Sequence, residues 1–427
     1  MNKVLWLIAN YNVQKDSVVK GNYNGEGWVS SLLQIVQSSN VVDLGVAYIT
    51  HSIQEKESVR DGAFYFPIYE KPKTSLQKLR KYYGGYKRKA INDLNVQLLS
   101  VINKFQPDVI HLFGLENPMA TILGRGCVPV VVHMQGLLGP IDNAFFPQGF
   151  NNSSFLWPIT KREWLIRNGY IFAQKDIHVR GEREKELFAN MKYCMGRTEW
   201  DKQVSRLMAP NSIYFHVDEV LRTTFYENAG KWKKLQKSTF IITSTISETI
   251  YKGLDVILKT AHLLKNETNL NFLWQVVGIN DSSDFVRFFE KKSGIRSADV
   301  HLNYLGVQDE RSLCQILLSS NVYVHPSYID NSSNSVCEAQ MLGVPVIGTY
   351  VGGIPSLIRH MESGILVPAN APFELAEWIK QLSENEDICN SLSKNGFQAA
   401  TIRHDKKKIL NDLISAYKST IFINSHA

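Results

Sequence analysis

The stretch from Val322 to Leu357, VYVHPSYIDNSSNSVCEAQMLGVPVIGTYVGGIPSL, leaves few folds open to this chain. Val322-Tyr323-Val324-His325 is a β-branched and aromatic run stopped by Pro326, and it reads as a strand. Ser327 to Asn334 is a polar loop holding Asp330, Asn331, Ser332, Ser333 and Asn334, residue types that cap helix N-termini. A helix is expected from about Ser335 to Met341, ended by Gly343 with Pro345 just beyond. Val344 to Ile347 is the next buried strand, followed by a turn at Gly352-Gly353. Strand, polar loop, helix and strand make half of a βαβ unit, with the loop at the carboxyl end of a parallel strand, where open α/β sheets take ligands. The helix start at Asn334 and Ser335 turns free N–H groups and a positive dipole end into that space, which suits a phosphate. Glu338, expected on the first turn, has a carboxylate that can accept both hydroxyls of a ribose.

This stretch resembles the signature of family 4 glycosyltransferases: an acidic residue, seven others and a Glu, then a small-residue turn and a Pro. Here it reads Asp330, seven residues, Glu338, then Gly343-Val344-Pro345-Val346 and Gly352-Gly353. The family usually carries Glu at the first acidic position. Asp330 keeps the charge and shortens the reach by one methylene. The resemblance implies the GT-B fold, an α/β architecture of two Rossmann-like, doubly wound parallel-sheet domains facing across a cleft. It also implies transfer of a sugar from a nucleotide sugar.

At 427 residues the chain exceeds a single core, so two domains are expected. Hydrophobic residues make up 44% and charged residues 20%, as in soluble globular proteins. The formal charge of +7 is mild and hints at an anionic partner or membrane surface. Five scattered cysteines without a CxxC pair argue for reduced thiols in the cytosol and against a zinc site. There is no apolar run of about 18 residues to span a membrane. Val4 to Ile8 is too short, and too soon followed by polar residues, for a secretory signal.

Val4 to Ala9 is instead a first buried strand. It runs into a glycine loop, Gly21 to Gly27, and then into the helical apolar spacing of Val29, Leu32, Leu33 and Val36. Strand, glycine loop and helix can cradle phosphate. The resemblance places Gly25 and Gly27 in the loop that approaches the donor diphosphate or the acceptor. Val41 to Ile49 reads as the second strand and Ile91 to Phe105 as a helix. Pro107 to Gly114 and Val128 to His133 are further strands. In the family a His at this last strand end faces the donor sugar, and His133 is the matching position; His111 lies on a similar strand. Lys192 to Met195 is the expected last strand of the first domain, with Thr198 capping the next helix and Arg197 at the strand end.

Two stretches carry cations among aromatics. Ser75 to Ala90 holds Lys78, Arg80, Lys81, Lys87, Arg88 and Lys89 around three tyrosines. It reads as a solvated face, as an interface for anionic lipid headgroups, or as a nucleic-acid patch that nothing else in the chain supports. Phe145 to Tyr170 reads either as a cover for the first domain or as a site for membrane or a lipid-linked acceptor.

The second domain opens on the strand Thr239 to Ser244 and reaches Lys252-Gly253 ahead of a helix, Leu254 to Leu264. The family carries a Lys-Gly pair here, with the Lys on the donor phosphates. It usually also carries an Arg five or six residues earlier, where this chain has Ser247 and Ile246. A diphosphate leaving group needs its developing charge neutralised. Lys252 then works with backbone dipoles alone, or a cation such as Arg197 is supplied from elsewhere.

The expected division is residues 1–215 for an acceptor-side domain, 216–402 for a nucleotide-sugar domain, and 403–427 for a helix crossing back to the first. The expected activity is retaining transfer of a hexose from a UDP- or GDP-sugar to a hydroxyl of a glycan or lipid-linked saccharide. Neither cofactor nor metal is expected, because the chain has no Asp-x-Asp triplet. Asp330 and His133 are the expected catalytic residues. Lys252, Glu338, Gly25, Gly27, Asn334, Ser335 and Arg197 are the expected donor ligands. The expected place is the cytoplasm, with the inner face of the plasma membrane as a peripheral station. Two other readings stay open at this point: a same-fold nucleotide-sugar epimerase or hydrolase, and a non-catalytic subunit of a polysaccharide assembly complex.

Overall fold

The structure is a computed structural model that describes residues 1–9, 27–72, 88–126, 128–150, 154, 169–234 and 238–426. Gly25, most of the glycine loop, the basic stretch 78–87, and Phe155, Trp157 and Trp164 lie outside the described residues.

Two sheets organise the chain. The first contains β1 (Asn2–Ile8), β2 (Val42–Thr50), β3 (Ser58–Arg60), β4 (Ala63–Tyr69), β5 (Val109–Phe113), β6 (Val130–His133), β7 (Tyr193–Gly196) and β8 (Ile213–His216). Its order is β3-β4-β2-β1-β5-β6-β7-β8, parallel except where β3 meets β4. The second contains β9 (Phe240–Thr245), β10 (Phe272–Val277), β11 (Leu302–Gly306), β12 (Val322–His325), β13 (Val346–Thr349) and β14 (Ile365–Val367). It is parallel throughout, in the order β11-β10-β9-β12-β13-β14.

Side-chain alternation explains the layering. On β1, Val4, Trp6 and Ile8 enter one core, while Leu5 and Leu7 enter the core on the opposite face. Both faces are covered, so the strand reads as a continuous apolar run. β8 is different. It follows β7 at the sheet edge, and its four residues are exposed or half-buried. The expected last strand of the first domain is Lys192 to Met195; β8 lies beyond it and lacks the buried signature because it is an edge strand. The hairpin of β3 and β4 went unread for a related reason: β3 has only three residues, none of them buried.

The helix Lys406–Ser425 returns to the first sheet. Ile409, Leu413, Ala416 and Tyr417 share a core with β1, at the spacing of one helix face. The Tyr417 hydroxyl accepts the Trp6 indole N–H at 3.0 Å and lies 2.6 Å from His111 Nδ1. His111 is therefore an interior group that anchors this helix.

The segment between β6 and β7 leans the other way. Phe145 and Ile171 belong to the core of the second sheet, with Phe146 and Phe150 packed against it. Phe145 meets Tyr251 at 6.0 Å between ring centroids, Phe150 meets Phe289 at 5.8 Å, and Tyr170 meets Phe285 at 6.2 Å. These rings join the two halves of the molecule, and packing against the second sheet accounts for Phe145, Phe146, Phe150 and Tyr170. Among the described residues no helix is long and apolar enough to cross a membrane.

Candidate active site

The carboxyl ends of β6 and β7 meet the loop after β12, so residues 133–137 and 197–201 face residues 330–333. Asp330 and Lys252 form the centre on the second-sheet side. Lys252 ends a short turn, Ile250–Lys252, and is followed by Gly253 at φ +81°. A Cβ on Gly253 would lie 2.2 Å from the Pro326 carbonyl oxygen, so only glycine lets the Lys252 turn sit against the end of β12. The ammonium then reaches Asp330 Oδ2 at 2.7 Å, and His325 Nε2 lies 3.1 Å from the same oxygen. Burial alone would raise the Asp330 carboxyl; Lys252, with help from His325, outweighs it and holds the group well below the usual carboxylate range. Burial likewise opposes charge on Lys252, and Asp330 more than compensates, raising it.

The trailing glycines buttress this loop. A Cβ on Gly352 would fall 1.9 Å from the Asp330 carbonyl oxygen, and one on Gly353 would fall 2.7 Å from both the Asn331 carbonyl oxygen and Thr198 Cγ2. Gly353 N–H donates to the Asp330 carbonyl at 3.1 Å. The pair Gly352-Gly353 thus permits a close approach of three chain segments.

The helix Asn334–Leu342 begins with Asn334 and Ser335, both half-buried at its N-terminus. Glu338 lies on the second turn rather than the first, and is only 3% exposed. Both its oxygens accept from Arg222, Nε to Oε1 and Nη2 to Oε2, each at 2.7 Å. Burial raises the Glu338 carboxyl, and Arg222 pulls against that rise. The sequence missed Arg222 because it lies in an apolar segment between the sheets with no motif around it.

Arg197, at the end of β7, is also interior, at 3% exposure. Its guanidinium stacks on Trp28 at 4.7 Å and lies 3.7 Å from Glu219. Glu219 in turn accepts from Ser332 Oγ at 2.9 Å and from Cys337 Sγ and Arg403 Nε at 3.3 Å. Burial opposes its charge, yet Arg403, then His404 and Arg197, pull it well below the usual range. Among the described residues, Glu219, Cys337 and His404 bring ligand-type atoms within 4.8 Å of one another. Arg403 already occupies the carboxylate, and burial pushes the Cys337 thiol far up, away from the thiolate a metal needs. The cluster is an ion-pair network at the junction of the two halves.

His133 is fully buried. It falls on the same face of β6 as Val131, which puts the ring in the layer under the helix Gly27–Ser39. It meets Trp28 edge-on at 4.9 Å and stacks near His111 at 5.3 Å. The ring is enclosed between Trp28 and His111. Burial, reinforced by Arg197, lowers its pKa from 6.5 to about 3. A histidine neutral in the fold and titratable when unfolded destabilises the fold as pH drops below 6.5, and the loss keeps growing toward pH 3. At pH 5 this amounts to about 2 kcal/mol. In His133→Phe, urea midpoints at pH 7 and pH 5 should lie closer together than in wild type; an unchanged gap would remove His133 as the cause. Gly27 opens the helix Gly27–Ser39, the described remnant of the glycine loop.

Residues 227–399 match the family described as glycosyl transferases group 1. A D-inositol 3-phosphate glycosyltransferase of Streptomyces bingchenggensis is 38% identical over 20% of this chain and 18% of its own. An N,N'-diacetylbacillosaminyl-diphospho-undecaprenol alpha-1,3-N-acetylgalactosaminyltransferase of Campylobacter jejuni is 26% identical over 44% of this chain and 48% of its own. The chain thus spans between a fifth and a half of the length of these curated relatives. Solved structures match along nearly the whole chain. Sucrose-phosphate synthase of Thermosynechococcus elongatus has a TM-score of 0.71 at 13% identity, covering 98% of this chain and 99% of its own. Anabaena HepE in complex with UDP and glucose has a TM-score of 0.63 at 15% identity, covering 98% and 100%. The two parallel sheets have the GT-B fold, and residues 227–399, which hold the Asp330–Glu338 loop and helix, match the glycosyl transferases group 1 family.

Proposed function

We propose that the protein is a retaining, metal-independent hexosyltransferase that uses a nucleotide diphosphate sugar, with a UDP- or GDP-sugar as donor and a hydroxyl of a glycan or lipid-linked saccharide as acceptor. The observation that carries this reading is the Lys252–Asp330 pair beside the N-terminus of the helix Asn334–Leu342. An ammonium has three N–H donors. One is engaged with Asp330, which leaves two for phosphate oxygens. The N-terminus of that helix, at Asn334 and Ser335, adds a positive dipole end. Together they supply the charge that a metal would otherwise bring to the leaving diphosphate.

In this reaction the bond between the anomeric carbon and the β-phosphate oxygen breaks. The acceptor oxygen bonds to the same face, and its proton leaves on the departing diphosphate. Asp330, ionised down to low pH, orients the sugar hydroxyls and steadies positive charge on the ring. Glu338 takes the ribose hydroxyls as Arg222 gives way. Gly25 and Gly27 close on the phosphates. His133 acts from beneath the surface, by holding Trp28 and through it Arg197. Association with an anionic membrane surface through the 78–89 stretch, on the cytoplasmic side, belongs to the same proposal.

Saturation-transfer NMR with UDP-glucose, UDP-GlcNAc, UDP-galactose and GDP-mannose tests it. One donor should bind wild type, and Glu338→Gln should weaken it by about tenfold while remaining folded. Well-folded wild type that binds none of the four would sink the reading.

A further inference from the structure

Asn331, the residue after Asp330, has every polar group of its side chain tied to the other half of the molecule. Its amide nitrogen donates to the Gln135 carbonyl oxygen at 2.7 Å and to Asp201 Oδ1 at 2.7 Å. Its oxygen accepts from the Thr198 hydroxyl at 3.1 Å. A carbonyl and a carboxylate on one side and a hydroxyl on the other fix the orientation of the amide, since a flipped group would set oxygen against oxygen. The partners are themselves anchored. Asp201 Oδ2 accepts the N–H groups of Arg197 at 2.8 Å and Thr198 at 3.2 Å, completing the cap of the helix Glu199–Met208. Gln135 follows His133 at the end of β6. Asn331 N–H also donates to Asp330 Oδ1 at 3.0 Å, so the same residue grips the carboxylate that meets Lys252.

We infer that Asn331 is a positioning residue: it registers the Asp330 carboxylate of the second sheet against the ends of β6 and β7, the edge on which an acceptor hydroxyl is presented. This rests on the transfer reading for its catalytic consequence but not for its structural one. The two halves of a GT-B enzyme hold different substrates, so the reacting atoms line up only if the halves share a fixed reference. Three short bonds from one buried amide provide it a single residue away from Asp330. A misplacement of about 1 Å at such a centre is enough to cost ~100-fold in rate.

The test uses wild type, Asn331→Ala and Asn331→Asp as full chains. Hydrogen exchange without ligand should show the amides of 198–201 and 331–333 opening about tenfold more readily in both variants. With the donor found by the NMR panel, kcat should fall roughly 10- to 100-fold while donor Kd stays within about twofold. Asn331→Asp separates positioning from space-filling: it keeps the size, loses both donated bonds and sets a carboxylate against Asp201. A variant that only needed bulk would behave as wild type. Wild-type exchange in both variants overturns the inference, as does a kcat that does not change. If no donor is turned over by wild type, the transfer reading fails on its own, and the exchange measurement still decides whether Asn331 ties the halves together.

Discussion

Glu219→Ala is expected to destabilise the protein by about 3–5 kcal/mol, the range for breaking a buried ion pair by removing one partner. Glu219 is fully buried between β8 and the second sheet. Arg403 reaches it at 3.3 Å and Arg197 at 3.7 Å, and both guanidiniums are interior. Asp218 Oδ1 lies 3.2 Å from Arg403 Nη2 and would hold part of that charge after the substitution. Among the described residues Arg197 has no second salt-bridge partner, and it would keep Trp28 and the Gln135 carbonyl only. The Ser332 hydroxyl and the Cys337 thiol would also lose their acceptor. The pH dependence gives an independent check. The folded pKa of Glu219 is depressed, so its contribution is present above the ordinary 4.5 and is lost as pH falls below it. Glu219→Gln keeps the shape and an accepting oxygen, and should cost less than Glu219→Ala and flatten the acid limb of stability. Urea unfolding of the three proteins at pH 7 and pH 4 decides it. A loss under about 1 kcal/mol for Glu219→Ala would show that the network carries no net stability.

Much of the fold was legible because its strands are buried on both faces. β1, β5, β9 and β12 announce themselves as apolar runs ended by Gly, Pro or polar residues. The cap at Thr198 was likewise visible as a helix start. What stayed hidden has a common cause. Contacts between residues far apart in the chain leave no local period. Glu338 could be named from its spacing to Asp330, but its partner Arg222 is 116 residues away. His133 could be placed at a strand end, but which face it took depended on the register of β6 against its neighbours. The aromatics of 145–170 suggested an amphipathic surface, and only the position of the second sheet shows where Phe145 and Phe150 are buried. Asn331 looked like one cap residue among several; its bonds to Gln135 and Asp201 lie across the sheets.

Lys252→Ala should lower kcat by 10²- to 10³-fold, or about 2.7–4 kcal/mol, the effect of removing one charge-stabilising donor from a site that lacks a substitute. Where related enzymes place an Arg ahead of this Lys, the chain has Ser247 and Ile246. Arg197 is engaged by Glu219, Trp28 and the Gln135 carbonyl. In the proposed reaction Lys252 faces the leaving diphosphate with the helix N-terminus at Asn334 as its main support. The substitution has a second consequence that distinguishes it from simple loss of binding. Lys252 is the chief partner that depresses Asp330, against the opposing effect of burial. Without it the Asp330 carboxyl rises, so the acid limb of the kcat profile should move to higher pH. A variant that had lost only ground-state contacts would raise KM and keep the wild-type limb. Turnover within about threefold of wild type, with the limb unmoved, would place the diphosphate elsewhere and withdraw Lys252 from the reaction.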